Sequence, residues 1–232
     1  MENVLLKYMD ERFDKPEETG FCKVPGPVIT ISRVCGCSAT RIAEQLSIKI
    51  NKILVAKGFQ EEWKWVNKEI LSMVSNELKI SPKKVKQLVE SQQKNVIQEI
   101  VSSFTENYYA HSTKVKNAIQ RAVRHIAIGG NVVIVGRAGG IITSDIVRSL
   151  HINLEAPLSW RAASVSAKHS LSIEDSKKYI VQMDYQRDSF KELFKKKNSE
   201  APDYDLTINC KSHSIDQICE IIIKEAQMRN LL

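Results

Sequence analysis

Apolar residues fall into two alternating kinds of pattern along this chain. The first kind is short: Val28–Ile31 and Val132–Val135 are nearly continuous, and Ser149–Leu154 and Leu206–Ile208 are further short strand signals. Runs of that length, rich in β-branched residues, predict strands buried on both faces of a parallel sheet. The second kind has helical spacing. Ile42, Ala43, Leu46 and Ile50 follow the first strand within a few residues. From Asn67 to His125 the chain is almost entirely helical in pattern. Ser81-Pro82 predicts a helix start there, with Val85, Leu88, Val89, Val96, Ile100 and Phe104 on one face. Val115, Ala118, Ile119, Ala122, Val123, Ile126 and Ala127 form the next stripe, ended by Gly129-Gly130. Further helices are expected over 157–168, 173–197 and 214–229, the last with Ile215, Ile218, Ile222 and Ala226 inward. Asn51–Val66 reads as irregular, with a turn at Gly58. Trp63 and Trp65 within it suit either base stacking or, more commonly, core. Residues 2–13 carry a short amphipathic pattern, and breakers (Pro16, Gly20, Pro25, Gly26, Pro27) follow, so residues 1–26 read as an N-terminal appendage. Strands alternating with helices predict an α/β fold.

Ligands of open α/β sheets sit at the carboxyl ends of the strands. Arg33 and Gly36, Gly136 and Arg137, and Glu155 all fall at such ends. The first of these junctions, VITISRVCGCSATRIA, is a strand, a small-residue loop and a helix in direct succession. Backbone N–H groups of such a loop and the positive helix end together form an anion site. It is not a regular Walker A loop, which requires a lysine that is absent here.

Composition narrows the class. The chain has 232 residues, 43% hydrophobic and 26% charged, which is ordinary globular composition. It contains no apolar run near the ~20 residues a membrane helix requires. The N-terminus lacks a signal-peptide pattern, so a cytoplasmic protein is expected. Five cysteines are scattered apart from Cys35-x-Cys37, and no second ligand pair stands at metal spacing, so loop-lining thiols are the better reading. The net charge of +7 invites a nucleic-acid partner. Lys83-Lys84-Lys86 and Lys195-Lys196-Lys197 are mixed with glutamates on predicted helix faces, however. Nucleic acid is therefore an unlikely partner, and a pocket for polyanionic nucleotides accounts for excess positive charge equally well. His111, His125, His151, His169 and His213 form no triad or ligand spacing.

Five segments in order carry a resemblance. ISRVCGCSATRIA, WVNKEIL (Trp65–Leu71), VVIVGRAGGII (Val132–Ile142), LEAPLSWRAASV (Leu154–Val165) and DYDLTINC (Asp203–Cys210) resemble the cytidylate kinase-like P-loop proteins. The resemblance is to the branch whose loop opens Ile-Ser-Arg and lacks the Walker lysine. It implies a P-loop NTPase-like three-layer fold with a parallel sheet in residues 27–232. A long helical insertion on the acceptor side would span 51–128, and a lid about 160–190. It further implies transfer of the γ-phosphate of ATP, with Mg2+, to a pyrimidine nucleoside monophosphate, CMP favoured. Such transfer needs no protein nucleophile, only positioned backbone amides, arginines and magnesium.

By that resemblance the loop Cys35, Gly36, Cys37, Ser38, Ala39 and Thr40 would cradle the donor phosphates. Thr40 stands where the magnesium-binding hydroxyl is kept, and Ala39 where the lysine is. Arg33 is the natural substitute for that lysine, since a guanidinium bridges two phosphate oxygens. Arg137 would hold the acceptor phosphate. Asp184 and Arg187, three apart on one helix face with Lys177 two turns back, would contact the acceptor. Arg161 and Lys168 would be the lid cations serving catalysis. The chain also departs from the pattern. Relatives read Gly-Ser-Gly-Gly where this loop has Gly36-Cys37-Ser38-Ala39. The aspartates that flank the Gly-Arg of better-known members are Val135 and Ala138 here, and a lid arginine is Ser164. These departures support a rival expectation, a degenerate module that binds nucleotide or another phosphorylated ligand without turnover.

Overall fold

The computed structural model describes residues 25–67, 69–78, 106–195 and 204–232. The described elements are β1 (Val28–Arg33), α1 (Ala39–Ala56), β2 (Lys64–Val66), α2 (Glu69–Leu78), α3 (Glu106–Gly129) and β3 (Val132–Val135). They continue with α4 (Gly139–Ile142), β4 (Ser149–Glu155), α5 (Leu158–His169), α6 (Ile173–Glu192), β5 (Leu206–Asn209) and α7 (Ile215–Met228). All strand pairs are parallel, in the order β2-β3-β1-β4-β5.

β1 lies at the centre, paired to β3 from Val28↔Val132 to Ile31↔Val135 and to β4 from Val28↔Ser149 to Arg33↔Leu154. Its chemistry explains the position. Val28, Ile29 and Ile31 are completely buried because helices cover both faces, as the continuous apolar run requires. Ile29, Ile31, Val133, Leu150 and Ile152 face α1 and α7 and form one core with Ile42, Leu46, Ile50, Ile218 and Ile222. Val28, Val132 and Ile134 face the other way, onto Ile70 and Val74 of α2, Ile119 and Val123 of α3, and Phe190 of α6. Each fully buried aliphatic side chain contributes about 2 kcal/mol by leaving water. The result is a three-layer α/β sandwich.

The sheet's second face is polar beneath β4. Thr30 Oγ1 lies 2.8 Å from His151 Nδ1, and Ser149 Oγ lies 3.1 Å from His151 Nε2. Burial pushes the His151 imidazole below its ordinary pKa. It is a satisfied core histidine.

Two expectations are corrected and one element is added. The stretch read as irregular, Asn51–Val66, contains the last turns of α1 and all of β2. β2 is a three-residue edge strand, too short to declare itself by alternation. Trp63, just before it, is 2% exposed, and Asn51 bonds both its N–H and its C=O at 2.7 and 3.0 Å. That tryptophan is core. The helix expected to reach residue 197 ends at Glu192. Short α4 was not foreseen, since Gly139-Gly140 leave no periodicity to read. The pattern at 2–13, the Ser81-Pro82 start, the stripe from Val85 to Phe104, and Lys83, Lys84, Lys86, Lys196 and Lys197 lie outside the described residues.

Candidate phosphate-binding site

The carboxyl edge of the sheet gathers the chemistry. β1 ends in Arg33, β3 runs into Gly136-Arg137, and β4 ends in Glu155. The chain leaves β1 toward β2 on one side and leaves β4 toward β5 on the other. A crevice therefore opens outside these strand ends.

After β1 the loop turns within five residues. Cys37 N–H donates to Val34 O at 3.4 Å and Ala39 N–H to Cys37 O at 2.9 Å. Ser38 caps α1 in position only: its side chain makes no capping bond, and no acid stands in the first turn. Ser38 and Thr40 are exposed. An 18-residue helix thus presents its positive end uncompensated. Thr40 Oγ1 accepts a hydrogen bond from Asn67 Nδ2 at 3.3 Å. Asn67 was missing from the sequence-derived site, although it lies within the WVNKEIL segment; only the fold brings it beside a residue 27 positions earlier.

Gly36 adopts φ +96°. A Cβ there would lie 2.9 Å from Arg161 Cβ and 3.2 Å from its carbonyl oxygen, so α5 rests directly on the loop. Arg161 donates from Nε to Ala156 O (2.9 Å) and from Nη1 to Cys35 O (3.2 Å) and Asp184 Oδ2 (2.6 Å). Asp184 Oδ1 accepts the Cys35 N–H at 2.6 Å. Ser164 Oγ reaches Gly36 O at 3.4 Å. Lys168 is exposed in the last turn of α5, seven residues and about 10 Å along the axis from Arg161.

The junction after β3 is built differently. Gly136, Arg137 and Ala138 take φ of +74°, +55° and +54° in succession. Left-handed dihedrals at non-glycine residues cost ~1–2 kcal/mol each, and here they set Arg137 at the strand end. Gly136 has a further reason to lack a side chain: a Cβ would come within 2.0 Å of Arg33 Nη1. Arg33 therefore lies across this glycine. Arg187 Nη1 reaches Arg33 O at 3.4 Å and Asp184 Oδ1 at 3.6 Å. Burial, then repulsion from Arg187 and Arg137, lowers the Arg33 guanidinium to about 10. Three arginines crowded at one strand edge create a strongly anion-seeking site.

The thiols belong to packing. Burial pushes the Cys35 thiol up, and Cys37 donates a hydrogen bond to Cys210, which raises Cys37 and lowers Cys210. Among the described residues no group of three His, Cys, Asp or Glu is arranged to hold a metal, and no helix is long and apolar enough to cross a membrane.

The fold and this edge define a kinase-like P-loop α/β protein. The cytidylate kinase-like family model matches residues 28–212, and the chain belongs to that family. A solved structure of an uncharacterized protein from Eubacterium ventriosum superposes with a TM-score of 0.57 at 18% identity, covering 87% of this chain and 98% of that one. It shares the fold. Shikimate kinase from Bacteroides thetaiotaomicron covers 84% of this chain and 98% of its own at 9% identity, with a TM-score of 0.46. No curated protein matches.

Proposed function

We propose that this protein is a nucleoside monophosphate kinase that transfers the γ-phosphate of ATP to a pyrimidine nucleoside monophosphate, CMP favoured. The observation that carries this reading is the half-buried Arg33, crowded by Arg137 and Arg187 beside the uncapped start of α1. Guanidinium groups gathered this way attract an anion of several charges, and phosphate oxygens fit their forks.

In this reading Arg33 and the loop Cys35–Thr40 hold the donor, with Arg33 replacing the lysine absent at Ala39. Arg137, Asp184 and Arg187 hold the acceptor, whose phosphate oxygen attacks the γ-phosphorus while ADP leaves. Arg161 and Lys168 neutralise charge developing between them. Magnesium is held largely by substrate phosphates in such sites. The exposed Thr40 hydroxyl fits that need, and the ion would supply neutralisation of the β- and γ-oxygens. We assign 27–232 as the kinase-like domain, 51–128 as its acceptor side and about 160–190 as its lid, with 1–26 an appendage. Supply of ATP and nucleoside monophosphates favours the cytoplasm.

A product-resolved assay tests this: labelled ATP and magnesium offered with a panel of nucleoside monophosphates. Diphosphate should appear for one base, and Arg137→Ala should reduce it about a hundredfold or more, as loss of a desolvated charge partner does. A second reading, binding without turnover, is favoured by Ala39 and by the Cys35 amide being engaged already by Asp184. No transfer to any acceptor, with ATP binding intact, would leave that reading standing alone.

A further inference from the structure

The loop that should hold phosphate already holds an anion of the protein's own. Asp184 spreads its two oxygens as a phosphate would: Oδ1 takes the Cys35 N–H at 2.6 Å and Oδ2 takes Arg161 Nη1 at 2.6 Å. Arg187 stands 3.6 Å from the same carboxylate. The Arg161 and Asp184 side chains are only 13% and 22% exposed, so solvent screens this pair weakly. Arg161 and Ser164 also hold the carbonyls of Cys35 and Gly36. Cys35 packs with Ala162, Val165 and Ile180 in a small apolar cluster. One carboxylate thereby fastens α5 and α6 onto the loop.

We propose that Asp184 is an internal ligand of the phosphate loop, an autoinhibitory latch that incoming polyphosphate must displace. The inference rests on the phosphate-binding reading of this site. Displacement frees the carboxylate, which the proposed function places on the acceptor. Donor binding therefore precedes and promotes acceptor binding. The single residue has opposite effects on the two ligands.

The test is titration calorimetry at fixed ionic strength with inorganic tripolyphosphate and, separately, CMP. Asp184→Asn should bind tripolyphosphate about tenfold tighter and CMP more weakly than the natural chain, since the amide competes poorly for a charge-assisted donor. Asp188→Asn removes an exposed negative charge from the same helix without touching the loop, and should change tripolyphosphate affinity less than threefold. Equal gains in both variants would reduce the effect to net charge and overturn the latch. Unchanged or weaker tripolyphosphate binding by Asp184→Asn, with binding by the natural chain intact, would overturn it and leave the kinase reading untouched. Binding of neither tripolyphosphate nor ATP by any of the three would overturn both. Hydrogen exchange on the natural chain needs no variant. Tripolyphosphate should lower protection across 173–184 while protection of 33–40 persists or rises. A joint rise in both segments would mean the carboxylate stays on the loop, against the proposal.

Discussion

The turns after β1 and after β3 leave neighbouring strands at the same edge, and both deliver arginines to one crevice, yet they are held by opposite means. The first, around Gly36, is held from outside, by Arg161, Ser164 and Asp184 of the two helices that close on it. The second, Gly136 to Ala138, is tied to the sheet by its own backbone, with the Gly136 N–H on Ile31 O at 3.0 Å, the Gly139 N–H on Gly136 O at 2.9 Å and Arg33 lying over the glycine. A loop fixed by partners can be released by changing partners. A turn bonded to the sheet through its own backbone stays where it is.

Substituting the two glycines separates these cases. Gly36→Ala should cost the most, about 3 kcal/mol, because the added Cβ meets the backbone of α5 as well as an unfavourable φ. Urea unfolding reads this directly, and a loss below about 1 kcal/mol would mean that α5 yields easily. Gly136→Ala should cost less, about 1–2 kcal/mol, since the atom in its way is the far end of a flexible arginine. Its larger effect should fall on binding: Arg33 leaves its seat, and tripolyphosphate affinity drops about tenfold or more. Unchanged affinity would remove Arg33 from the donor site. Smallest is Ala138→Gly, which relieves one strained dihedral and should raise stability by about 0.5–1 kcal/mol with little change in affinity. Thermal melts with and without tripolyphosphate would separate those two quantities.

The contrast also explains what could be seen in the sequence. β1 and β3 were legible because central parallel strands are near-continuous apolar runs, β4 and the edge strand β5 as short stretches in which leucine and isoleucine alternate with polar residues, and α1 and α3 because their stripes repeat at helical spacing. β2 and α4 were not, being three and four residues long and held by neighbours rather than by their own pattern. Arg33, Gly36, Gly136, Arg137 and Glu155 could be placed at strand ends by counting from those runs. The bond from Cys35 to Asp184 joins residues 149 positions apart. That from Asn67 to Thr40 depends on where an illegible strand ends. The seating of Arg33 on Gly136 is likewise a contact between two strands. Local pattern locates such residues without pairing them.

The left-handed run after β3 has one more consequence, which concerns movement. Dihedrals of this kind persist only where the surroundings hold them, and here the backbone bonds from Gly136 to Ile31 and from Gly139 to Gly136 tie the turn that carries Arg137 to the sheet. Opening of the crevice is then expected in the chain that flanks α5 and α6, at Ala156-Pro157 and at Ser170, rather than at the turn after β3. One wall is an anvil, and the opposite wall does the travelling.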